Sequence, residues 1–281
     1  MPPLAIAAAF TSALIHASWN AALKTSGGRT PDRITDAFLI AVGGLLIGAA
    51  VALIVGAPPA AALPYLAASV AIHLVYWIAL FKSYDLGDLS HIYTLSRGSA
   101  PLLVAIGAAL TVHEIPSPVK AAGVGLVSIG ILLVGVSPRA PLRATMWALI
   151  VGLCIASYSL VDALGARVAN NAVLYVGWTT GLMSIPMIAF SFYRRGAHAL
   201  MQSARVAPWR GIFIGVISFA GYGLVLWAQT IAPIAQVTAL RETSVVWGAL
   251  IAFFLLGERL GARRWAGAIV VALGAGLIAF G

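Results

Sequence analysis

The run Leu95-Ser96-Arg97-Gly98-Ser99-Ala100-Pro101, apolar from there to Leu110-Thr111-Val112-His113-Glu114, has a second version in the same chain. It is Ala239-Leu240-Arg241-Glu242, apolar from there to Phe254-Leu255-Leu256-Gly257-Glu258. A shift of 144 lays Arg97 on Arg241, Glu114 on Glu258, Gly123 on Gly267 and Gly130 on Gly274. Only 9% of the residues are charged, so coincident Arg and Glu at one offset are hard to obtain by chance. A shift of 139 lays Ala17-Ser18-Trp19-Asn20 on Ala156-Ser157-Tyr158-Ser159, and unequal loops absorb the five-residue difference. The chain therefore reads as two copies of one unit, residues 1–137 and 138–281.

Composition says where these units live. Of 281 residues, 61% are apolar before the 29 glycines are counted, against about 45–50% apolar with glycine and about 25% charged in soluble domains. So few charges cannot cover a surface in water. A soluble enzyme, a nucleic-acid binder built on the +9 net charge and a disordered chain are excluded. A membrane-spanning helix needs roughly 20 mostly apolar residues. Ten such stretches follow one another: 4–23, 34–55, 63–81, 91–111, 119–136, 145–163, 173–192, 211–229, 235–256 and 265–280. They are continuous rather than alternating, which excludes the strands of a membrane β-barrel. The first stretch reads as a span, because Met1-Pro2-Pro3 lacks the basic segment of a removable signal.

Basic residues are distributed by side. The odd-numbered connections hold Lys24, Arg29, Arg33, Lys82, Arg139, Arg143, Arg194, Arg195, Arg205, Arg210, Arg259, Arg263 and Arg264, while the even-numbered ones hold Lys120 and Arg167. Short loops rich in Lys and Arg stay cytoplasmic, so the odd connections are expected in the cytoplasm and both termini in the periplasm. Five spans per unit is an odd number, so the second copy enters the membrane from the opposite side. The expected fold is an all-α integral membrane protein of ten transmembrane helices, arranged as two inverted five-helix repeats. Secondary transporters use such repeats around a site near the membrane midplane.

Ala17-Ser18-Trp19-Asn20 leading to Lys24, the close in Leu256-Gly257-Glu258-Arg259-Leu260, and the helix bearing Gly267, Gly274 and Gly276 resemble the EamA family of the drug/metabolite transporter superfamily. The first unit carries the same signature from Arg97 through Glu114 to Gly123, but reads Val112-His113-Glu114-Ile115-Pro116 where the family usually has Leu-Gly-Glu-Arg/Lys. The resemblance covers essentially the whole chain. It implies a ten-helix carrier that exports amino acids or related metabolites by alternating access. From the residues themselves we expect a monomer in a bacterial inner membrane, with protons as candidate co-substrate and with no cofactor, no nucleic-acid partner and no enzymatic activity. The rivals are a multidrug or organic-cation exporter of the same superfamily and a passive metabolite channel.

Polar groups inside spans usually face protein or a water-filled cavity. Arg97 and Arg241 are candidates for recognising a substrate carboxylate, for an interhelical strut, or for reaching out to the interface. Glu242, whose counterpart is Gly98, is a candidate proton carrier or a salt-bridge partner of Arg241 or Arg97. His73, Tyr76 and Trp77 fall at i, i+3 and i+4 on one helical face. Their partners in the second copy are Ile217, Ala220 and Gly221, and the asymmetry suits the lining of a pocket for an asymmetric substrate. Lipid-facing packing is the alternative. Trp19, Tyr158, Trp178, Tyr222 and Trp227 are further aromatic candidates. Asp162 is expected as an interfacial cap, His91 and His113 as span-end residues facing water, and Glu114 and Glu258 as caps of the helices that follow them. Gly44/Gly48, Gly177/Gly181 and Gly211/Gly215 form G-x-x-x-G steps expected to let helices approach closely. Asp85 and Asp88 read as solvated turn residues and the single Cys154 as a buried packing residue. No phosphate-binding loop and no His-rich zinc motif occurs, so neither ATP-driven transport nor a metal site is expected.

Overall fold

Uninterrupted Ala, Leu, Ile, Val and Gly over some twenty residues leaves the backbone no partner in lipid except itself, and the helix is the arrangement that satisfies it. The computed structural model describes residues 1–25, 33–137, 139–206 and 208–281. The helices are α1 (Pro3–Thr25), α2 (Arg33–Ile54), α3 (Leu63–Leu86), α4 (Leu89–Thr111), α5 (Pro118–Gly135), α6 (Leu142–Ala169), α7 (Ala172–Arg195), α8 (Ala197–Val206), α9 (Pro208–Ile231), α10 (Ile234–Arg241), α11 (Ser244–Phe254) and α12 (Ala262–Phe280). A 3-10 turn at Ala60–Ala62 leads into α3. Nine stretches among the described residues are long and apolar enough to cross a bilayer. The tenth rod is α4, as long as its neighbours but diluted by Ser90, His91, Thr94, Ser96, Arg97 and Ser99. Large apolar side chains point outward along the rods, among them Leu53 (87% exposed), Leu110 (75%) and Phe254 (73%), as a surface bathed in lipid requires.

Two features depart from the expected spans. The ninth span, expected as one helix over 235–256, is broken at Glu242 and Thr243 between α10 and α11. There the backbone tightens, with Glu242 N donating to Ala239 O and Thr243 N to Leu240 O, and the Thr243 hydroxyl takes the Leu240 carbonyl as well. Connection 7 contains the extra helix α8, too short to span. It lies on the bundle through Leu200, which is fully buried with Phe38, Leu39, Val42 and Ile188. Among the loop charges, Arg29 lies outside the described residues.

The most extensive packing runs between the two halves of the chain, α5 along α12 and α2 along α7, and α4 also meets α10. The cross-contacts exchange in the same way, α6 lying against α3 and α4 as α1 lies against α9, α10 and α11. Glycine permits the closest of these approaches. A Cβ on Gly48 would stand 2.5 Å from Gly181 Cα, and one on Gly123 would stand 2.8 Å from Gly274 O. Gly48 meets Gly177 and Gly181, and Gly44 meets Thr180 and Ser184, a close helix approach of the kind expected at these G-x-x-x-G steps.

Candidate transport cavity

The helices enclose a cavity of about 760 Å³ lined from α1, α2, α3, α6, α7, α9 and the end of α10. Its inner end is formed by Ser12, His16, His73, Tyr76, Tyr158, Tyr222 and Arg241, near the middle of their spans. Its outer end is formed by Trp19 and Asn20 at the close of α1, Asp36 and Ala37 at the start of α2, and Tyr84 near the close of α3. Those three helix ends adjoin connections 1 and 3, so the cavity opens toward the side of the odd-numbered connections. A smaller apolar slot of about 170 Å³ lies between α3 and α7, past Trp77 and the stacked Phe81 and Phe190.

The opposite side is tied shut by one polar knot. Glu114, at the end of α4, pairs with Arg167 near the end of α6 at 2.7 Å and accepts the Ile234 backbone N–H at the start of α10, also at 2.7 Å. Arg167 donates in addition to the Gln229 and Ala232 carbonyls at the end of α9, at 2.8 and 3.1 Å. Carbonyls left free at one helix end and an N–H left free at another are thus satisfied by one ion pair.

Residues 142–280 match the model of the EamA-like transporter family. The chain belongs to that family. It is a membrane transporter of the drug/metabolite transporter type, and the membrane-helical fold points away from an enzyme. A solved structure titled only "Crystal structure of protein" superposes with a TM-score of 0.75 at 18% identity, covering 98% of each chain, a likeness of fold alone. No curated protein matches the sequence.

In this EamA-like transporter the aromatic face foreseen on the third span does line the cavity. His73 stacks on Tyr158 with ring centroids 4.2 Å apart, and Tyr76 stands edge-on to both Tyr158 and Trp77. Arg241 reaches the cavity with its guanidinium 5.5 Å from the centre of the Tyr222 ring. Its Nε is buried without a hydrogen-bond partner. Arg97 and Glu242 are not part of the lining. They form an ion pair at 3.1 Å, 7% and 2% exposed, which ties α4 to the break after α10. Trp178 also stands apart, its indole N–H donating to the Gly56 carbonyl at 2.9 Å beside the start of α3. Trp227 faces outward at 38% exposure.

Three sequence expectations are corrected by long-range packing. Asp162 is no interfacial cap: it is fully buried, accepting hydrogen bonds from the Tyr175 and Tyr222 hydroxyls. His91 does not face water but is 3% exposed, with Nε2 3.1 Å from the Thr145 hydroxyl and Nδ1 accepting the Ser137 N–H. Glu114 caps a helix as expected, but that helix is α10 of the other half rather than the adjoining α5. Among the lining residues not foreseen is His16. It precedes Trp19 and Asn20 by three and four residues, so the helical face of the Ala17–Asn20 motif already pointed to it; it stands edge-on to Trp19, and Asn20 donates to its carbonyl.

Proposed function

We propose that this protein is a secondary exporter of amino acids or closely related small carboxylates, working by alternating access in a bacterial inner membrane. The observation that carries this reading is Arg241, a cation with an unspent donor, set over Tyr222 in a cavity otherwise walled by aromatic rings. Burial makes a guanidinium–carboxylate contact strong, and Tyr76, Trp77 and Tyr158 offer apolar faces to the rest of such a molecule. Cationic substrates fit less well beside Arg241.

Alternating access is supported by one side being open while the Glu114–Arg167 knot ties the other. It is supported further by the exchange of helix contacts between residues 1–137 and 138–281, which suits two inverted repeats trading places. With the basic connections in the cytoplasm, the cavity is open inward and the termini lie in the periplasm. A monomer encloses the whole cavity. The driving force is the substrate gradient or an exchange with protons.

Counterflow into proteoliposomes loaded with unlabelled aromatic and neutral amino acids tests the reading. Saturable uptake of label whose half-saturating concentration rises in Arg241→Gln supports it. No exchange across these amino acids and their close analogues overturns it, and single-channel conductance in its place assigns a pore.

A further inference from the structure

Asp162 is the one intramembrane carboxylate that the transport reading leaves without a task. It lies on α6, fully buried, one helical turn beyond Tyr158. The Tyr175 hydroxyl of α7 donates to Oδ1 at 3.1 Å, and the Tyr222 hydroxyl of α9 donates to Oδ2 at 2.5 Å. From α3, Ser69 and His73 lie within electrostatic reach of it. From α4, Arg97 is engaged by Glu242. From α10, Arg241 lies beyond Tyr222. Tyr158 on α6 itself completes the titratable surroundings. Among the described residues no Lys or Arg forms a salt bridge with Asp162.

A carboxylate in this position must either keep its charge on hydroxyl donors alone or hold a proton. A phenol hydroxyl permits both, since it donates to a carboxylate and accepts from a carboxylic acid. Tyr222 connects Asp162 to the cavity directly, because it hydrogen-bonds Asp162 and also belongs to the cavity wall, and His73, within electrostatic reach of Asp162, belongs to the same wall. His73 Nδ1 lies 2.8 Å from the Ser69 carbonyl, an acceptor that requires the proton on Nδ1. The lone pair of the neutral ring is then on Nε2. The same Tyr222 ring that carries the hydroxyl on Asp162 carries the guanidinium of Arg241 on its face.

We propose that Asp162 is a proton-binding site of this transporter, exchanging with the cavity through Tyr222, and that Glu242, held by Arg97, is not. The Tyr222 hydroxyl passes its proton to Asp162 Oδ2 and takes one in return from a hydronium ion in the cavity, so one O–H bond breaks for each that forms, and the phenol then turns to accept from the Asp162 carboxyl. The proposal deepens the transport reading by naming its coupling ion, yet its first test needs no substrate.

That test is infrared difference spectroscopy of the purified full-length protein across the neutral pH range. A protonated-carboxyl C=O band that titrates in wild type and in Glu242→Gln, and is lost in Asp162→Asn, supports the site. A titrating band that survives in Asp162→Asn, or none in wild type, overturns it. Should Asp162→Asn fail to fold, Tyr222→Phe removes one hydroxyl donor at constant charge. It must move the band's frequency and midpoint, and an unmoved band overturns the proposal. The second arm is counterflow as a function of pH. Loss of pH dependence in Asp162→Asn, with pH dependence kept in Glu242→Gln, supports coupling through Asp162, and the reverse pattern refutes it. If the band titrates as expected but no amino acid exchanges, the transport reading fails while the proton site stands.

Discussion

Replacing Glu242 by Gln separates a strut from a transport residue. The Arg97–Glu242 ion pair is 3.1 Å long, between side chains almost wholly removed from solvent. At an effective permittivity of about 20, two unit charges at that distance attract by about 5 kcal/mol. Deleting one charge also leaves Arg97, 7% exposed, with no counter-ion, and breaking a buried pair in this way costs about 3–5 kcal/mol. Replacing both members by apolar residues removes the stranded charge, and such replacements are often neutral or stabilising. Glu242→Gln should therefore lose about 3–5 kcal/mol, Arg97→Leu a similar amount, and Arg97→Leu/Glu242→Leu together much less than their sum. The assay is reversible denaturant unfolding in mixed micelles, followed by tryptophan fluorescence. A loss below about 1 kcal/mol in Glu242→Gln, or additive losses in the double variant, refutes the strut.

Other expectations follow from the cavity and the helix contacts. Arg241→Gln should weaken binding of a carboxylate substrate about 10- to 100-fold, the worth of a hydrogen bond to a charged group, read as a rise in the half-saturating concentration in counterflow. Arg167→Gln should loosen the tied side: in a Cys154→Ala background, a cysteine at Ser218 should become reachable by an impermeant maleimide from the even-numbered connections, and not only from the odd ones. Gly48→Ala should cost about 1–3 kcal/mol, because its Cβ would stand 2.5 Å from Gly181 Cα and neither backbone can yield without parting α2 from α7. Gly125→Ala, with open space around the new Cβ, should be tolerated; equal losses in the same unfolding assay would refute the contact argument.

The sequence by itself determined the ten rods, because lipid demands length and apolarity along the chain and both are local quantities. It marked Gly44/Gly48 and Gly177/Gly181 as places of close helix approach, and the structure decided that Gly48 meets Gly177 and Gly181. It also placed His73, Tyr76 and Trp77 on one face, a matter of helical period. Tertiary structure decided what that face meets and which ions pair. The spacing left Arg97 and Arg241 equivalent, yet Arg97 is spent on Glu242 and Arg241 is presented to the cavity; a carboxylate follows Arg241 in the chain, whereas Gly98 follows Arg97. The break after Arg241 was hidden, since Glu and Thr are tolerated in a helix until their side chains find partners elsewhere. Asp162 shows the limit most clearly. Near the end of an apolar stretch it looks like a residue bound for the interface, and only the approach of Tyr175 and Tyr222 from two other helices turns it into a buried carboxylate. Burial and hydrogen-bond partners belong to the assembled bundle, and no window along the chain contains them.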